Sequence, residues 1–332
     1  MSTKAPKLLD RVRHTLRTQH YAYSTEQQYL HWIKHFILFH HKQHPQTMNS
    51  AEIEAFLTHL AIERHVAPST QNQALAALLF LYQQVLRQDL DHSIDAVRAR
   101  TPPRRLPTVM SKSEVAQVIA AMREPYQLMA KLMYGSGLRL RECLCLRVQD
   151  LDFGQHQLIV RRGKGNKDRD TLLPDSLHAA LRRQLRYAQV LHQNDLERGY
   201  GRVSLPYALA RKYPKADQEW AWQYVFPSHK LSKEPRTGRM GRHHLSPDAL
   251  QRAVKRAARA ARLTKSIGCH TFRQCAASPW DLSSGASVLG EQITKDIFTP
   301  QCTNSFTHLW RRYRGLAGRS RFCCSCWGLS GR

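Results

Sequence analysis

Acidic residues are scarce in this chain. Its 332 residues include 25 Asp and Glu against 51 Lys and Arg, a formal charge of +26. Solubility needs far less, so the excess points to an acidic polymer as partner, most simply nucleic acid. Long apolar runs are also missing. The strongest, "ALAALLFLY" at 74–82, is too short to cross a bilayer. The basic residues are spread along the chain rather than gathered on one amphipathic segment, which argues against a membrane surface. The opening "MSTKAPKLLDRVRHT" has no apolar signal core, so a reducing intracellular setting is expected. Of eight cysteines, five follow residue 273, and "CCSCW" at 323–327 has no second correctly spaced pair, so no zinc module is expected. The Gly-x4-Gly-Lys-Ser/Thr spacing of a phosphate-binding loop is absent too.

What is present organises into segments. Residues 1–96 read as a helical bundle. Ser24 with Gln27, Asn49 with Glu52 and Thr70 with Gln73 read as helix starts. Its histidines and Lys34 form either a solvated face or phosphate contacts. Residues 97–110 carry three prolines among basic residues and make an extended linker, in which Arg104 and Arg105 either track a nucleic-acid backbone or are simply solvated. A second domain runs from 111 to 273. It opens on a capping box of Ser111 and Glu114, with Val115, Val118, Ile119 and Met122 as the buried stripe, then two helices broken at Gly135-Ser136-Gly137. Cys143 and Cys145 read as small packing residues in the second of these. A hairpin follows, entered by Leu158 and Val160, turning at 163–168 and leaving through Thr171 to Leu173. An aromatic, less regular stretch occupies 205–228, and "RTGRMGRHH" at 236–244 reads as a flexible basic loop. Ser246-Pro247 starts a helix with Arg252, Arg256 and Arg259 along one side, a solvated face or a phosphate-contacting stripe. The fold class is mainly α with a small β-sheet, α+β.

Three separated pieces carry chemistry: Arg139 in "GSGLRLRE", Lys164 in "GKGNKDR", and His270 with Arg273 in "HTFR". In this order, "YGSGLRLRECLCLRVQDLDF", "GKGNKDR" and "HTFR" resemble the tyrosine recombinase (phage-integrase) superfamily, over about residues 10–273. "ALARKYPKADQEWAWQYVFPS" is similar to the insertion of integron integrases, with Tyr213, Trp220 and Trp222 as site-recognition candidates.

The resemblance implies a core-binding helical domain and a catalytic domain that together form a C-shaped clamp on DNA. It implies recombination through a 3′-phosphotyrosyl link with a free 5′-hydroxyl, on a duplex attachment site and a folded single-stranded cassette site. Homo-oligomers on DNA and a bacterial, cytoplasmic, nucleoid-associated setting follow from it. Arg139 and Arg273 would clamp the non-bridging oxygens, since each guanidinium can give two parallel hydrogen bonds. Lys164 would protonate the leaving 5′-oxygen, and His270 would serve the tyrosine proton or the phosphate. No metal and no cofactor are required: arginines do the charge work and the phosphotyrosine keeps the bond energy.

The pattern stops after Arg273. The family run of His-Ser-Phe-Ala-Thr-His type is replaced by "QCAASPWDL", "LGE" has Glu in place of His, and "FTH" has Phe306, which has no hydroxyl. Tyr313 is the only tyrosine after Arg273, and it sits in "RRYRG", out of family context. Residues 274–332 are read either as a diverged tail or as the product of a frame change near codon 274. Function is therefore read as recombination with impaired cleavage, against the alternative of a non-catalytic DNA-binding remnant or a chain whose catalytic domain is left incompletely covered.

Overall fold

The computed structural model describes residues 6–88, 90, 99–100, 106–161, 167–206 and 209–276. It divides into two compact units, residues 1–105 and 106–332.

In the first unit, helices α1 (Leu8–Thr18), α2 (Tyr23–Phe39), α3 (Ser50–Ile62) and α4 (Pro68–Phe80) enclose one core, and α4 runs on through a wider π-helical stretch, Leu81–Leu86. Val12, Leu16, Ile33, Phe36, Ile53, Leu57, Leu75, Leu78 and Tyr82 are buried there. Phe36 meets Phe56 edge-on at 5.6 Å, and Tyr82 at 6.4 Å. α3 starts on the expected cap: the Asn49 side chain accepts from the Ala51 N–H at 2.8 Å, and the Asn49 N–H donates to Glu52 at 2.6 Å. Two other helix starts differ from expectation. α2 begins at Tyr23 after Ala22 with no side-chain cap, so Ser24 and Gln27 lie inside it. α4 begins at Pro68, ahead of Thr70. The proline ring fixes a helical φ where a missing N–H costs nothing.

The second unit is built round α6 (Tyr126–Gly135). Leu128, Met129, Ala130, Leu132 and Met133 are all buried, so this short helix is covered on nearly every side. α5 (Lys112–Ala120), α7 (Leu140–Leu144) and α11 (Cys269–Ala276) pack on it, and α10 (Pro247–Ala260) packs on α5, α7 and α11. The Ser111 hydroxyl accepts from the Glu114 N–H at 3.2 Å while the Ser111 N–H donates to the Glu114 carboxylate at 2.7 Å, closing the capping box of α5. Strands β1 (Leu151–Asp152), β2 (Gln157–Val160) and β3 (Arg169–Leu172) form an antiparallel sheet in that order, with Leu158 opposite Thr171 and Val160 opposite Arg169. Leu158 and Val160 alternate into the core. The 20-residue helix α8 (His178–Glu197) follows, then the one-turn helix α9 (Leu209–Lys212).

The stretch read as a flexible basic loop is partly strand. β4 (Pro227–Lys233) and β5 (Met240–His244) form an antiparallel hairpin. Arg242 of β5 is no free surface charge: it is ion-paired with Asp195 of α8, with Nη2 donating to Oδ1 at 2.7 Å, and both side chains are nearly buried. Pairing across that distance in sequence outweighs the polar composition of the strand.

Candidate functional site

The break between α6 and α7 is shaped by two glycines. A Cβ at Gly135 would lie 2.8 Å from the Pro174 ring, and Gly137 has φ +62°. The chain then extends through Arg139 and enters α7. Glu142, three residues on, faces back and accepts from the Arg139 N–H at 2.8 Å and from Arg139 Nη1 at 2.7 Å. The same carboxylate accepts from Arg169 Nη1 at 3.0 Å and Nη2 at 2.6 Å. The Glu142 side chain is 7 % exposed. Burial alone would raise its pKa, but hydrogen bonds from Arg169 and from Arg139 outweigh that and hold it at about 2. A permanently charged carboxylate thus ties the start of α7 to the start of β3. The Thr171 hydroxyl donates to the Ser136 carbonyl at 2.9 Å and makes a second tie between β3 and the same break.

α11 carries the second part. Cys269, Phe272 and Cys275 point into the core, and the Met110 N–H donates to Cys275 Sγ at 3.3 Å. One position on from the first two, His270 is exposed and Arg273 half-buried. Helical spacing therefore puts both on the outer side of a helix whose inner side packs on α6. Arg139 and Arg273 stand on elements that share α6 as their support.

The remaining candidates divide. Arg252, Arg256 and Arg259 are exposed along one face of α10, joined by Lys255, while Leu250, Ala253, Val254, Ala257 and Ala258 fill the other. Lys164, Arg104, Arg105 and Tyr313 lie outside the described residues. Trp220 stacks on His192 at 6.0 Å. The guanidinium of Arg147 lies over Trp222 at 5.6 Å and Tyr224 at 4.8 Å, and its Nη2 donates to the Ser204 carbonyl at 2.8 Å. Both tryptophans are thus partly engaged in holding the 205–228 stretch, whereas Tyr213 is half-exposed under the Lys212 ammonium at 5.2 Å. Beside Arg147, burial holds His244 at about 4, with a hydrogen bond to the Leu245 carbonyl opposing and nearby His243, Arg141 and Arg147 adding to the depression.

Glu142, Arg169 and Arg147 join the site through contacts that the motifs do not reveal. Glu142 had a signal, its three-residue spacing from Arg139 at a helix start. Arg169 had only its place at the end of "GKGNKDR".

Among the described residues, no helix is long and apolar enough to cross a membrane. Family models match twice: the phage integrase N-terminal SAM-like domain over residues 8–92, and the phage integrase family over residues 108–281. An "Integrase/recombinase" of Escherichia coli and one of Pseudomonas aeruginosa are each 44% identical over 311 residues, covering 92% of this chain and 90% of theirs. The "Tyrosine recombinase XerD" of Agrobacterium fabrum is 30% identical over 277 residues, covering 78% of this chain and 75% of its own. Among solved structures, a lambda integrase dimer bound to a core site aligns with a TM-score of 0.54 at 16% identity, over 86% of this chain and 92% of the other. A transposon integrase in complex with transposon right-end DNA gives 0.54 at 11% identity, over 93% and 100%. These two likenesses concern the fold.

Proposed function

Because the chain belongs to the phage integrase family of tyrosine recombinases, we propose that it is a site-specific DNA recombinase of the integron type, with its DNA grip kept and its cleavage step impaired. The observation that carries the reading is the Arg139–Glu142–Arg169 cluster at the α6–α7 break, supported on the same helix as His270 and Arg273.

The chemistry follows from these groups. Glu142 takes Nη1 of Arg139 and fixes the guanidinium plane, so that the remaining N–H groups of Arg139 meet a non-bridging phosphate oxygen without reorganisation. Arg273 meets the second. Developing negative charge on those oxygens is then stabilised by fixed donors, and losing one such donor typically costs on the order of 10²–10³ in rate. Lys164 delivers the proton to the leaving 5′-oxygen, and His270 handles the proton of the attacking hydroxyl or supports the phosphate. The attacking tyrosine is the missing part: Tyr313 is the only one after Arg273, and its surroundings do not match the family. We assign to Tyr213, in the 205–228 stretch with Trp220 and Trp222, the contact with an unpaired base of a folded single-stranded cassette site, because it is the most exposed of the three. DNA is the partner, duplex and folded single strand, with further copies of the chain assembling on it inside the cell.

A nicked attachment site that traps covalent intermediates tests the proposal. The expected result is a retained band shift with no covalent protein–DNA adduct. An adduct that disappears in Tyr313→Phe would overturn the impaired-cleavage reading, and absence of any DNA binding would overturn the retained grip. For the integron type, the folded cassette strand is expected to bind more tightly than its duplex form, with the difference reduced in Tyr213→Ala. Equal binding of the two forms counts against it.

A further inference from the structure

Away from the arginine cluster, three metal-ligating side chains converge at the base of the sheet. His156 stands in the β1–β2 turn, Asp175 in the turn before α8, and His178 is the first residue of α8. One ligand atom from each lies within 4.8 Å of the others. His156 Nδ1 is paired with Asp175 Oδ1, and His178 Nε2 lies 3.5 Å from that same oxygen. The two imidazoles stack at 5.1 Å with 26° between their planes. Their supports are fixed: the Leu173 N–H donates to the His156 carbonyl at 2.8 Å, and the Phe153 ring meets His178 edge-on at 5.2 Å.

The ion pair of His156 with Asp175 leaves His178 Nε2 only a long approach, 3.5 Å, to the same oxygen. His178 Nε2 is closed off from solvent and has no hydrogen-bond partner. Buried ring nitrogens nearly always have one, and a cation held jointly with Asp175 and His156 would supply it.

We propose that His156, Asp175 and His178 form a binding site for a first-row divalent transition ion of the zinc class. Two imidazoles and one carboxylate suit such an ion better than magnesium or calcium, which favour oxygen ligands throughout. Three protein ligands leave the fourth position to water. Bound there, the ion clips the β1–β2 turn to the N-terminal turn of α8. This role is structural and separate from the phosphate chemistry, and it does not depend on the recombinase reading.

Cobalt(II) chloride titrated into the full chain under a thiol-free reductant tests this, because its visible absorption reports coordination and sulfur ligands add a separate charge-transfer band. The expected result is one equivalent bound with no sulfur signature, and affinity weakened at least about tenfold in His178→Ala and in His156→Asn. Asn is chosen because position 156 has φ +53°, a conformation Asn tolerates well. Unchanged melting of both variants in chelator shows that they fold, and zinc at a hundredfold excess over its Kd raises the melting midpoint of the parent chain by roughly 5 °C but not theirs. No visible band, an equivalent retained in both histidine variants, or a sulfur-type band lost in Cys324→Ser would overturn the proposal.

Discussion

At the scale of the residue, Glu142 joins the arginines of the candidate site. Its carboxylate is shared by two arginines and the Arg139 backbone, and its pKa falls from an ordinary 4.5 to about 2. A depressed folded pKa means stability that is fully present above about pH 4.5 and is lost as pH drops towards 2. By linkage this is worth about 3 kcal/mol. Glu142→Gln should therefore lower stability by roughly 2–3 kcal/mol at neutral pH and flatten the acid limb of the stability curve, read from denaturant titrations across pH 2–7. Parent and variant curves that run parallel through that window would show the carboxylate is not what holds the arginines. Glu26 is a second buried carboxylate held by arginine, in the first unit. It is fully buried in α2 and accepts from Arg17 Nε at 3.1 Å and Nη2 at 3.0 Å. Arg17→Ala removes both of those hydrogen bonds and leaves the carboxylate to Arg13, whose Nε lies 3.7 Å from Oε1, so the expected cost is about 2 kcal/mol of the first unit's stability, measured by chemical denaturation.

At the scale of the element, the Asp195–Arg242 pair ties β5 to α8. Asp195→Ala leaves a nearly buried guanidinium uncompensated and should destabilise by about 3–5 kcal/mol, while the apolar double variant Asp195→Leu with Arg242→Met should recover much of that loss in a thermodynamic cycle. Equal losses in the single and double variants would mean the pair adds nothing beyond packing. β5 also shows where reading the sequence stops. α5, α10 and the β2–β3 ladder are legible because their signals are local: a Ser–Glu box, a Ser-Pro start, alternation of Leu158 and Val160. β5 has polar residues on both faces, and its deciding partner is 47 positions away on α8. The site divides the same way. Arg139, His270 and Arg273 stand out as candidates through motif spacing. Arg169 does not, because its hold on Glu142 spans 27 positions and exists only once the sheet packs on α7. The starts of α2 and α4 are not legible, because Ser24 and Thr70 are acceptable inside a first turn and a cap-type residue alone does not fix the boundary.

At the scale of the whole molecule, charge is the dominant fact, and it is distributed so that a helix can test it. The formal charge of +26 favours nonspecific attraction to DNA, so weak binding by itself does not identify the contacting face. The salt dependence does. Each phosphate neutralised adds about −0.9 to the slope of log K against log salt on duplex DNA, and 6–10 contacts cost roughly 10³–10⁵ in affinity between 50 and 200 mM. Arg252, Arg256 and Arg259 are exposed on the face of α10 opposite the buried Leu250, Val254 and Ala257, so their replacement by Gln leaves the core untouched. If that face lies on the backbone, the triple Gln variant should flatten the slope by about 3 and weaken binding uniformly across sequences. If the stripe is only solvated, the slope stays within about half a unit of the parent while stability is unchanged. The net charge changes by the same amount in either case. A triple Gln variant of Arg183, Arg186 and Arg198, on and just beyond α8, therefore serves as the comparison, because it separates a general charge effect from contacts made by α10. Equal slopes for the two triple variants would assign the salt dependence to bulk charge and remove α10 from the interface.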